Sequence, residues 1–95
     1  MAESVIKSNE IIFKDLTYTI SSGVAGKAEY IGELAVPDGY TTMSAVLIDG
    51  SINSILLGSV SETLVNAQLL AFARVYCVSS ISNLSVTVRF YFKKI

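Results

Sequence analysis

The chain has 95 residues, of which 52% are hydrophobic and 16% charged; its net charge is −1, with one cysteine, no histidine and no tryptophan. That length bounds it to one domain, and with Lys93-Lys94 as its longest basic run it offers no footprint for neutralising nucleic-acid phosphates. Lack of histidine excludes Ser-His-Asp and Cys-His triads. With one cysteine it also excludes every standard structural zinc site and an internal disulfide.

In chain order, residues 1–14 are expected to be an N-terminal attachment segment or a first edge strand, and residues 15–95 a β-sandwich. Met1 to Glu10 holds Glu3, Lys7 and Glu10 and no apolar core segment, which does not read as a signal peptide. No apolar run reaches the roughly 18–20 residues that a spanning helix needs, so no membrane insertion is expected. The periodicity is two. Leu16-Thr17-Tyr18-Thr19-Ile20 alternates, and so does Tyr30 to Val36, read with Tyr30, Leu34 and Val36 on one side. Pro37-Asp38-Gly39 ends that strand with turn chemistry. Met43 to Ile48 is a short apolar run, and the Asp49-Gly50 dipeptide after it is that of a tight hairpin. Ile55 to Val60 is the next strand. Ser59-Val60-Ser61-Glu62 then has the form of a helix capping box; a short helix or a long loop fits there, and a loop leading into the next strand is favoured.

The strand Ala71 to Val78 puts Ala71, Ala73, Val75 and Cys77 on one face and Phe72, Arg74, Tyr76 and Val78 on the other. Cys77 reads as a buried small hydrophobe. Across the short loop 79–83, Leu84, Val86, Val88, Phe90 and Phe92 share one face of the last strand, and Ser85, Thr87, Arg89, Tyr91 and Lys93 the other. These two strands are expected to pair as an antiparallel hairpin. The whole pattern predicts an all-β, antiparallel sandwich, jelly-roll-like, of about six to eight short strands.

No phosphate-binding glycine motif is present, no carboxylate spacing marks a catalytic pair, and no D-x-D-x-D-G pattern suggests calcium. Catalytic, metal and cofactor residues are therefore all expected to be absent, and the chain is not expected to be an enzyme. Tyrosine is the notable residue: exposed Tyr offers flat apolar area with a hydroxyl handle, suited to sugars or interfaces. Tyr40, at the exit of the turn, and Tyr91, on the polar face of the last strand, are candidate receptor or saccharide contacts; packing at the core edge is the alternative for each. Arg74 lies mid-strand and must reach solvent or a partner, so Arg74 and Tyr76 are candidates for a subunit interface.

The order of Val36-Pro37-Asp38-Gly39-Tyr40-Thr41-Thr42, the turn Asp49-Gly50-Ser51-Ile52-Asn53, Arg74 to Ser79 and the closing strand Ser85 to Phe92 resembles the small β-sandwich heads of bacteriophage tail-fibre, receptor-binding and head-fibre proteins. The resemblance covers roughly residues 15–95 and rests on strands and one turn. It implies a homotrimer on the virion surface, made in the host bacterial cytoplasm, that contacts other virion proteins and a bacterial surface saccharide. It carries over no binding residues. A capsid-decoration or head-fibre protein is the alternative in the same setting, and a monomeric carbohydrate-binding module the alternative of another class.

Overall fold

Two three-stranded antiparallel sheets stack face to face in the computed structural model, which describes residues 10–49 and 54–95. The strands are β1 (Ile11–Gly23), β2 (Ala28–Ala35), β3 (Tyr40–Asp49), β4 (Ile55–Val65), β5 (Gln68–Cys77) and β6 (Ile81–Lys94). One sheet has the order β1-β6-β3 and the other β2-β5-β4. Among the described residues no helix is long and apolar enough to cross a membrane. The pair measures 53 × 33 × 18 Å: β6 alone, at about 3.4 Å per residue, accounts for most of the long axis.

The central strands β6 and β5 provide most of the core because their alternation is strict. Val86, Val88, Phe90 and Phe92 are fully buried on β6, as are Ala71, Ala73 and Val75 on β5, with Cys77 almost so. Large side chains on one central strand against small ones on the other fill the space between the sheets. Ile20, Ile31, Val36, Ile55 and Ile81 complete the buried cluster. Each large aliphatic or aromatic side chain so buried contributes about 1.5–3 kcal/mol relative to exposure.

Four sequence expectations are corrected. First, β5 and β6 form no hairpin: they lie in opposite sheets, and the Val78–Ser80 link crosses between them. Each strand needs its own apolar face turned inward, and crossing lets those two faces meet. Second, β3 and β4 likewise belong to different sheets, so Asp49-Gly50 does not close a hairpin between them; residues 50–53 lie outside the described residues. Third, the window after Ser59 is neither helix nor long loop. β4 runs on to Val65 and turns into β5 through Asn66 and Ala67, at φ +50° and +64°, as a two-residue hairpin turn of type I′ requires. Fourth, Tyr30 does not share a face with Leu34 and Val36. A bulge between Gly32 and Leu34 shifts the register, so Ile31 points inward before it and Leu34 packs on the core after it. The sheet also begins before residue 15, since β1 starts at Ile11; residues 1–9 lie outside the described residues.

Loops stitch the layers at their ends. Gly26 N–H donates to the Cys77 carbonyl at 2.8 Å, and Cys77 N–H to that of Lys27 at 3.0 Å. At the other end Tyr40 N–H donates to the Pro37 carbonyl, closing a turn whose Gly39 sits at φ +81°, where a side chain is strained.

Candidate functional site

The outer face of the β2-β5-β4 sheet gathers the most distinctive chemistry of the molecule. Tyr30 pairs with Arg74 across β2 and β5, and the Arg74 guanidinium lies over two tyrosine rings, 5.9 Å from the centre of Tyr30 and 5.1 Å from that of Tyr76. Both distances fall within cation–π range. Its Nε is buried and meets no acceptor among the described residues. Tyr30 remains 60% exposed and Leu56, on the neighbouring strand, also 60%.

Two glycines make this arrangement possible. Gly32 lies opposite Phe72, and the Phe72 ring covers the place where a Cβ would stand. Tyr76 does the same over Gly58, where a Cβ would meet the Tyr76 ring at 2.9 Å and the Arg74 carbonyl oxygen at 3.0 Å. Aromatic rings from the central strand thus lie down on both edge strands. With Phe72 leaning towards β2, a shallow cleft of about 270 Å³ opens above Tyr30, Phe72, Ser61 and Thr63.

The expected sites fall in three places. Arg74 and Tyr76 are neighbours on this face. Tyr91 lies on the outer face of the other sheet, its ring 6.1 Å from that of Phe13. There Arg89 donates to both oxygens of Asp15, at 2.8 and 3.1 Å, and its guanidinium stands 4.1 Å from the centre of the Phe13 ring. The hydrogen bond from Arg89, helped by the charge of its guanidinium, holds the Asp15 carboxyl below its usual value against the opposing effect of desolvation. Tyr40 packs partly against the core at one end of the sandwich, beside a cleft of about 260 Å³ that Pro37, Asp38, Gln68 and Ile95 help to line. Tyr40 and Tyr91 therefore do not form a common platform.

Comparison with family models, with curated proteins and with solved structures gives no match. The chemistry must be read from the residues themselves. Among the described residues no group of three or more His, Cys, Asp or Glu is placed to hold a metal. Sequence reasoning missed Tyr30, Ser61 and Thr63 as members of the aromatic face. Gly32 inside an alternating strand was the available signal for the bulge that turns Tyr30 outward. Ser61 and Thr63 lay in the window read as a loop, although Val60, Glu62 and Leu64 alternate with them.

Glu62 is the other polar side chain with a structural task. It points inward from β4 and accepts hydrogen bonds from Thr42 N–H and, at 3.2 Å to each oxygen, from the Thr41 hydroxyl on β3. Desolvation pushes its carboxyl up, but the hydrogen bonds from Thr42 and Thr41 together outweigh this and leave it below its usual value. The carboxylate thereby ties the two sheets along their β3–β4 edge.

Proposed function

We propose that this domain is a non-catalytic contact module of a virion surface, of the phage tail-fibre or head-fibre kind. In this reading it acts as a homotrimer that attaches to the bacterial surface. The observation that carries it is the open aromatic face built from Tyr30, Arg74 and Tyr76. A side chain as costly to desolvate as arginine, set among rings with an orphaned Nε, suits contact with another molecule. The strand order supports the same reading. In a jelly roll an antiparallel ribbon is rolled so that its first and last strands pair; the order β1-β6-β3 over β2-β5-β4 is what remains when the fifth and sixth strands of an eight-stranded roll are omitted. That architecture recurs in viral capsid and lectin domains.

A second apolar area supports assembly. Phe13, Met43, Val46 and Ile48 are all more than 40% exposed along β1 and β3, while the aromatic face lies on the opposite sheet. One side can then meet sister subunits while the other meets the host. Light scattering over a dilution series, with adsorption of labelled protein to bacterial envelopes, tests the proposal. The expected result is a species of three times the 10.2 kDa chain mass that adsorbs to some envelope. A protein that stays monomeric and adsorbs to none refutes it.

A further inference from the structure

We propose that the outer face of the β2-β5-β4 sheet is a binding site for a saccharide bearing an acidic group, with its carboxylate, phosphate or sulfate held by Arg74. This rests on the reading of the domain as a surface-contact module and specifies what that face takes. Arg74 has no carboxylate partner among the described residues, where Asp15–Arg89 is the ion pair formed. Its guanidinium is held in place by Tyr30 and Tyr76, so little side-chain freedom remains to be lost when an anion docks on its fork of N–H donors.

The adjoining cleft has the two linings a sugar needs. Tyr30 and Phe72 offer apolar ring faces, and Ser61 and Thr63 offer hydroxyls from the facing strand. Aromatic faces meet the C–H side of a pyranose and hydroxyls meet its edge. A volume of about 270 Å³ falls just below the range of drug-sized ligand sites, which starts near 300 Å³, and suits one sugar ring better than a larger group. A second copy of the chain suits the face less well. Packed about a two-fold axis through its centre, it brings Arg74 towards Arg74, a like-charge approach that disfavours association.

The test is titration of the full chain, followed by NMR shift perturbation, with three oligosaccharides of equal length: a sulfated heparin fragment, an oligogalacturonate and a neutral maltooligosaccharide. Shifts are expected at Tyr30, Thr63 and Arg74, with the acidic chains bound at least ~10-fold more tightly than the neutral one. The heparin and galacturonate arms distinguish sulfate from carboxylate as the favoured group. Arg74→Gln should weaken binding ~10-fold or more, and Arg74→Lys should restore it only in part. Lys93→Gln, remote from the cleft, should leave it unchanged; thermal melts check that each variant folds. Equal affinity for the neutral chain, or undiminished binding by Arg74→Gln, overturns the proposal. So does a fall in solution mass of Arg74→Gln, because the face is then a subunit contact. Trimer mass and envelope adsorption of the unaltered protein report on the broader reading separately, so the two can fail independently.

Discussion

Gly23 and Cys77 meet between the two sheets, and a pair of substitutions there tests how tightly the sandwich is packed. Gly23 is buried at the end of β1, and its backbone lies outside the left-handed region. A Cβ added at Gly23 would stand 2.6 Å from Cys77 Sγ and 3.5 Å from Ile81 Cβ. Comfortable non-bonded contacts lie near 3.5–4.0 Å, so the overlap with sulfur is roughly 1 Å. Gly23→Ala alone therefore overpacks the junction and should cost about 1–3 kcal/mol. Cys77→Ala alone removes the sulfur and leaves a small void, costing about 1 kcal/mol. In the double variant the new methyl group takes the space the sulfur has left. Its cost should fall below the sum of the two single costs by about 1–2 kcal/mol. Urea unfolding of the four proteins at neutral pH measures this from the midpoints, with unchanged slopes showing that the same structure unfolds. Additivity to within about 0.5 kcal/mol would refute the packing argument.

Other outcomes follow from the same reasoning. Ala67→Gly should raise stability by about 0.5–1 kcal/mol, since glycine accepts the left-handed φ of +64° that alanine holds under strain; a thermal melt should rise by about 4–8 °C per kcal/mol, and an unchanged or lower midpoint counts against it. Phe90→Ala removes a side chain with no exposed surface and should cost about 3–5 kcal/mol, enough that circular dichroism shows a largely unfolded chain at moderate temperature. Because the Glu62 carboxyl is depressed in the fold, its contribution is complete above the unfolded carboxyl value of about 4.3 and is lost as pH falls through the lower folded value. Urea midpoints should drop on acidification below about pH 5, and Glu62→Gln should flatten that drop; an equally steep profile in the variant would exclude the carboxylate as its source.

The inward faces of β5 and β6 were legible residue by residue, because a strict period of two needs only local sequence. Which strand each one pairs with was not. Val78 to Ser80 has a length and composition that serve a hairpin or a crossing equally well, and the choice depends on side chains far away in sequence that must fill the space between Ala73 and Phe90. The bulge at Gly32 was hidden for a related reason. One extra residue inverts the pattern of a strand, so an unbroken period of two puts Tyr30 on the side of Leu34 and Val36. Asn66-Ala67 carries no hairpin signal because alanine at a left-handed position is uncommon, and the capping-box pattern before it suits a short helix or a loop better than a continuing strand. Of the site, Arg74 and Tyr76 were visible as outliers on one strand. Their grouping with Tyr30 exists only through cross-strand pairing.

The two ends of the described chain lie together: Lys94 N–H donates to the Glu10 carbonyl at 2.8 Å, where β1 starts and β6 finishes side by side. For a domain under tension this adjacency decides how it yields. Pulled through both ends, the β1–β6 ladder opens like a zipper, one rung at a time, and little force is needed. Anchored through one end and loaded at a bound face, no tension runs between the two termini and that ladder is spared. A tether on only one side of the domain would therefore let it hold a surface against drag without being unravelled.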